Sequence, residues 1–159
     1  MVVIESICKN FSAYKNNILF RFTIGSNKTE TLKFWEPGAP SYEERKKCLV
    51  YAYRKGFSTS ISCEPMLDNS TEELVMDLIP YVTDSIWIGK ANFLLRRLKM
   101  NGVTDDESLR LANALMEQQT DSKIKALYNN LCSNKKIKWK ESIKKIVQLE
   151  VSKVKGLDI

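Results

Sequence analysis

The chain has 159 residues, of which 43% are apolar, and a formal charge of +6. That length supports one hydrophobic core and one domain, and no apolar run approaches the roughly 18 residues that span a bilayer. Histidine is missing, so the commonest general base and metal ligand is excluded and any chemistry falls to carboxylates, lysine, cysteine or a bound cofactor.

The N-terminus, Met1-Val2-Val3-Ile4-Glu5, carries an acid early and no basic region, unlike a signal peptide, so a cytoplasmic location is expected. Val2, Val3 and Ile4 read as a short strand or docking arm, and Tyr14-Lys15-Asn16-Asn17 as a turn. Residues 18–24 form a first strand, with Phe20, Phe22 and Ile24 on one face and Arg21 and Thr23 on the other. Gly25-Ser26-Asn27 closes it with turn chemistry. Trp35-Glu36-Pro37-Gly38-Ala39-Pro40 is too rigid and aromatic for a plain linker.

Ser41 with Glu44 is a capping box that opens a helix; Cys48, Leu49, Ala52 and Tyr53 give it an apolar face, and Gly56 ends it. In a second strand, residues 57–64, Phe57, Thr59, Ile61 and Cys63 alternate with Ser58, Ser60, Ser62 and Glu64, and Pro65 stops the ladder. A carboxylate at the end of a buried strand needs a partner, so Glu64 is either paired structurally or aimed at a ligand. Ser70 with Glu73 predicts a second capped helix, carrying Leu74, Val75, Leu78 and Ile79 and limited by Pro80. A third strand, residues 85–90, puts Ile86, Ile88, Lys90 and Asn92 on one face, with Lys90 at the same rim as Glu64. A Lys90–Glu64 pair is the simplest account of both.

From Phe93 onward the period is helical. Thr104 with Glu107 is a third capping box ahead of Leu111, Ala112, Leu115 and Met116. Ile124, Leu127, Tyr128 and Leu131 mark a further helix, and Trp139, Ile143, Ile146 and Val147 a last amphipathic one. Strands alternating with helices predict βαβ units, a parallel sheet and an α/β fold, with residues 93–159 as a helical cap on it. Function in such sheets collects beyond the carboxyl ends of the strands, where Glu64, Lys90 and Asn92 belong.

Lys135, Lys136, Lys138, Lys140, Lys144, Lys145, Lys153 and Lys155 crowd the C-terminal end. They read as a solvated face or as a patch for nucleic-acid phosphates. The four cysteines, Cys8, Cys48, Cys63 and Cys132, are far apart with no C-x-x-C pair, the pattern of reduced thiols rather than of a zinc or iron–sulfur site.

Several separated strings, in order, resemble the later half of radical SAM proteins related to spore photoproduct lyase. They are Phe20-Arg21-Phe22-Thr23-Ile24-Gly25-Ser26 and Phe34-Trp35-Glu36-Pro37-Gly38-Ala39-Pro40-Ser41-Tyr42-Glu43-Glu44-Arg45, followed by Ser62-Cys63-Glu64-Pro65-Met66-Leu67-Asp68. Asp84-Ser85-Ile86-Trp87-Ile88-Gly89-Lys90-Ala91-Asn92 and Ile137-Lys138-Trp139-Lys140-Glu141-Ser142-Ile143-Lys144-Lys145 complete the likeness.

The resemblance implies a partial, half TIM-type barrel over residues 1–92, with residues 93–159 a C-terminal extension packed on it as a single unit. It implies S-adenosylmethionine as cofactor, approached by Arg21, Thr23 and Ser26, and substrate contacts from Glu64, Lys90 and Asn92, with Trp35 and Glu36 in a loop over the site. The family's four-iron, four-sulfur cluster is held by a C-x-x-x-C-x-x-C loop that this sequence lacks. The expected protein is therefore the C-terminal half of such an enzyme, inactive without an N-terminal half that brings the cluster. The expected partners are that half, or a second copy joined through exposed sheet edges. The alternative is a non-catalytic binding module that touches nucleic acid through its lysines.

Overall fold

The structure is a computed structural model and describes residues 1–154. Four strands, Leu19–Thr23 (β1), Ser58–Cys63 (β2), Ile86–Ile88 (β3) and Ile137–Trp139 (β4), form one all-parallel sheet in the order β1-β2-β3-β4. The protein is thus α/β, as the alternation of strand and helix signals predicts. The helices are Val2–Asn10 (α1), Thr29–Trp35 (α2), Tyr42–Arg54 (α3), Thr71–Leu78 (α4), Leu94–Met100 (α5), Asp106–Glu117 (α6), Asp121–Leu131 (α7) and Glu141–Val147 (α8). No helix among the described residues is long and apolar enough to cross a membrane.

Period-two alternation decides which face of the sheet is buried. Ile61, Cys63, Ile86, Ile88, Ile137 and Trp139 pack against Leu49 of α3, Leu74, Val75 and Leu78 of α4, Ile124 and Leu131 of α7, and Ile143 of α8. Burial of this kind contributes roughly 1.5–3 kcal/mol for each large aliphatic side chain. A smaller cluster of Cys8, Phe20, Ala52 and Phe57, with Ile4 and Ile7 against it, seats α1 beside α3 on the same side of β1. On the opposite face Leu19, Arg21, Thr23 and Lys138 are exposed and Trp87 is half-buried. An all-parallel sheet ordinarily has both faces covered; among the described residues this one is covered on one.

Several local expectations are corrected. Val2, Val3 and Ile4 start a helix, not a strand, because Ile4, Ile7 and Cys8 recur at the spacing that faces α3. α2 is not among the expected elements; the Pro37-Gly38-Ala39-Pro40 string that follows it dominates the local signal. Trp139 belongs to β4 rather than to the last helix, so the segment after Asn92 supplies a strand as well as a helical cap.

The Ser41–Glu44 capping box forms, and Gly56 follows α3 with φ 78°. The other two do not. Ser70 precedes α4 but its hydroxyl donates to Asp68, 2.5 Å away, and α6 is capped by Asp105, whose carboxylate accepts from the Ser108 N–H at 2.8 Å. The Trp35–Pro40 loop is pinned by α3: Arg45 donates to the carbonyls of Pro40 and Thr23, each at 2.8 Å, and pairs with Glu36. Trp35 packs on the core. The loop therefore fastens the end of β1; Trp35 and Glu36 are engaged in that fastening.

Candidate functional site at the carboxyl rim of the sheet

Register lines up the open face in rows. Thr23, Ser62, Trp87 and Lys138 are opposite one another, and Arg21 is opposite Ser60 one step nearer the amino ends. Continuing one residue past the strands, the same register places Glu64 beside Gly89 and Gly89 beside Lys140. Gly89 is small for a reason: a Cβ there would lie 2.9 Å from Glu64 Cγ. The Glu64 side chain crosses that gap, and its Oε2 meets Lys140 Nζ at 3.3 Å.

The expected Lys90–Glu64 pair is therefore replaced by two others. Glu64 pairs with Lys140, while Lys90 Nζ is 4.0 Å from Asp121. Lys140 became available because β4 carries it to the rim, which the helical reading of that segment concealed. Its Nζ is also 5.1 Å from the centre of the Trp87 ring, and the Arg21 guanidinium is 6.0 Å from it, within reach of cation–π attraction. Arg21 Nε donates to Ser60 Oγ at 3.3 Å, and the Ser60 hydroxyl, fully buried, donates on to the Ser85 carbonyl at 2.8 Å.

The three residues expected to contact substrate come together. Glu64, Lys90 and Asn92 line one pocket of about 240 Å³, with Pro65, Ala91, Leu94 and Arg97. The rim loops that shape it are tied by Gln119, which accepts from the Ala91 N–H at 2.7 Å and donates to the Met66 carbonyl at 2.8 Å. The Lys90 N–H donates to Ser142 Oγ at 3.1 Å, joining the loop to α8.

The residues expected to approach a cofactor divide. Arg21 and Thr23 stand on the open face, whereas Ser26 is fully buried. Its hydroxyl donates to Asp68 at 2.5 Å and accepts from the Lys28 N–H at 2.9 Å, so it fastens the loop after β1 to the loop after β2. Burial pushes the Asp68 carboxyl up, but hydrogen bonds from Ser26 and Ser70 and the nearby Lys28 charge outweigh it and hold the group below the usual carboxylate range.

The cysteines do not assemble. Cys8 and Cys63 are buried in separate clusters, Cys48 is on α3, Cys132 is exposed, and all are free thiols. Burial, then the Asp68 charge, pushes the Cys63 thiol up to about 12, the behaviour of a core residue. Among the described residues no group of three or more His, Cys, Asp or Glu is placed to hold a metal ion. This donor set does not fit an iron–sulfur cluster.

The C-terminal lysines scatter. Lys138 is on the open face, Lys136 donates to the Val82 carbonyl at 2.6 Å, Lys144 is buried and Lys145 pairs with Glu141 at 2.5 Å; Lys155 lies outside the described residues. Sequence reasoning passed over Trp87, Arg97, Gln119 and the pairing of Lys140. Only Trp87, sited between two isoleucines of a predicted strand, carried a signal of its open-face position. The chain matches no protein-family model, no curated protein and no solved structure.

Proposed function

We propose that this chain is the C-terminal portion of a radical SAM-type barrel resembling the spore photoproduct lyase-related group, built to work with a second portion that supplies the cluster. The observation that carries the reading is the sheet itself: four parallel strands in consecutive order, covered by helices on one face and largely polar on the other, where Leu19 and Trp87 are the apolar exceptions. Consecutive order with one-handed crossovers keeps helices on one side, the rule of barrels, whereas doubly wound sheets reverse order and cover both. The polar face is then the lumen of an incomplete barrel, and the Glu64–Lys90–Asn92 pocket its working rim.

Within that reading Arg21 and Thr23 are offered to S-adenosylmethionine, Ser26 holds the loop beneath them, and Glu64, Lys90 and Asn92 meet the substrate. The cluster does not fit the thiols of this chain, so no reaction step is assigned to it here. Phosphate contact through the C-terminal lysines has less support, because Lys136 donates to a backbone carbonyl and Lys140 and Lys145 are paired with carboxylates of the chain.

The test is anaerobic co-expression with a protein carrying the C-x-x-x-C-x-x-C half. A brown complex that cleaves S-adenosylmethionine is the expected result. A colourless complex, or no complex at all, removes the proposal.

A further inference from the structure

We infer that the rim pocket recognises an anionic group, a carboxylate or a phosphate, on a small substrate, and that Arg97 is the residue selecting it. The inference rests on the reading of this rim as the substrate end. The connection from β3 to β4 spends three helices where a single one is enough for a βα unit. Of these α7 packs on the core, through Ile124 and Leu131, whereas α5 buries no residue fully. What α5 does contribute is Arg97, which lines the pocket and has no side-chain partner among the described residues. Asn92, on the same pocket, also has none.

The local backbone supports a built arrangement rather than a chance one. Phe93, between Asn92 and α5, has φ 55°, a left-handed conformation that non-glycine residues avoid and that collects at functional sites. That turn sends the chain into α5 so that Arg97 shares the pocket with Lys90. The charged residues lining the space are Lys90, Arg97 and Glu64, with Lys140 and Asp121 behind them as the ion-pair partners of Glu64 and Lys90. Glu64 is held by Lys140, and Asp121 touches Lys90 only at 4.0 Å and is 74% exposed. A cation pair and an amide are thus left for an incoming anion, and guanidinium binds carboxylate and phosphate through paired hydrogen bonds. A volume of about 240 Å³ suits one charged head group with a few attached atoms, below the range of whole drug-sized ligands.

The test uses the chain alone, so it stands or fails apart from cluster assembly. Amide NMR spectra are recorded during separate titrations with inorganic phosphate and with acetate, at constant ionic strength. Saturable shifts at Lys90, Ala91, Asn92 and Arg97 with one of the anions are expected, and the anion that saturates names the class. Arg97→Gln should weaken that binding by about tenfold, the loss of one charged hydrogen bond, with Lys90→Gln weakening it from the opposite wall and Lys153→Gln leaving it unchanged. Saturation by neither anion, or unaltered affinity in both pocket variants while their spectra remain those of the folded protein, overturns the inference.

Discussion

At the scale of single residues, two glycines and one aspartate hold the rim, each for a different physical reason. A Cβ on Gly25 would lie 2.5 Å from the Pro65 carbonyl oxygen and within 3 Å of Leu67, whose N–H donates to Gly25 O at 2.9 Å. Backbone cannot step aside, so Gly25→Ala should cost about 3 kcal/mol or more. Gly89→Ala meets only the flexible Glu64 side chain, which can swing out at the expense of its Lys140 contact, for about 1 kcal/mol. Urea midpoints of the two variants measure the difference, and equal losses would contradict this account. Asp68 is one source of acid sensitivity. Its folded pKa is below the ordinary 3.8, so its contribution is in place above about pH 4 and drains away as the pH falls through the lower folded value. Asp68→Asn should lower stability at neutral pH and flatten its decline in acid, read as urea midpoint against pH. A decline of unchanged steepness would place the sensitivity elsewhere, on Asp77 for instance, which burial pushes up but hydrogen bonds from Lys46 and Tyr42 hold low.

At the scale of elements, one sequence signature gives three outcomes. Ser41/Glu44, Ser70/Glu73 and Thr104/Glu107 share the same spacing, yet only the first closes reciprocally, with the Ser41 N–H on Glu44 at 2.9 Å and the Glu44 N–H on Ser41 Oγ at 3.3 Å. Ser41→Ala and Glu44→Ala should each cost about 1 kcal/mol and less than the sum together, while Glu73→Ala and Thr104→Ala should be silent. Thermal melts of the four variants and the double variant check this, and a cost at Glu73 equal to that at Glu44 would refute it. Capping signatures are local, and what decides them is a competitor: Asp68 takes the Ser70 hydroxyl, and Asp105 pre-empts Thr104. The same distinction separates what could be read in the sequence from what could not. α3 was legible because cap, apolar face and terminal glycine agree within one short stretch. The first three strands were legible through alternation, and so was the rim that gathers Glu64, Lys90 and Asn92. β4 was not, because three residues flanked by lysines show no period, and its place is set by pairing with β3. The Glu64–Lys140 pair was hidden with it, since it exists only once β4 joins the sheet. Arg97 was hidden for another reason: nothing local says that α5 turns back at Phe93 over the pocket.

At the scale of the whole molecule, the question is what an α/β sheet with one bare face is for. Leu19 and Trp87 on that face are apolar, Arg21 and Lys138 are charged, and the Trp87 indole N–H is buried with no acceptor among the described residues. A buried donor left unsatisfied costs about 1–3 kcal/mol, which a polar group entering from a closing partner would relieve. The sheet edges have part of their hydrogen-bonding capacity engaged: at β1 Arg45 occupies the Thr23 carbonyl, and at β4 the Ile137 N–H is donated to the Asn134 carbonyl. A second portion that completed a barrel would add its strands at the sheet edges and curve over this face, so burial of the face, beyond strand addition alone, is the expected sign of assembly. A variant keeping Trp87 as sole tryptophan, through Trp35→Phe and Trp139→Phe, makes the face report on itself. In the isolated chain its fluorescence should be open to quenching by iodide. Formation of the proposed complex with a cluster-bearing half should shift the emission to shorter wavelength and cut the quenching several-fold. The half-exposed ring of Trp87 lies between two cations in the chain alone, so a partner that merely paired with an edge strand would leave both observables where they began. That null result, in a complex proven by mass, would mean the bare face is not the lumen of a barrel.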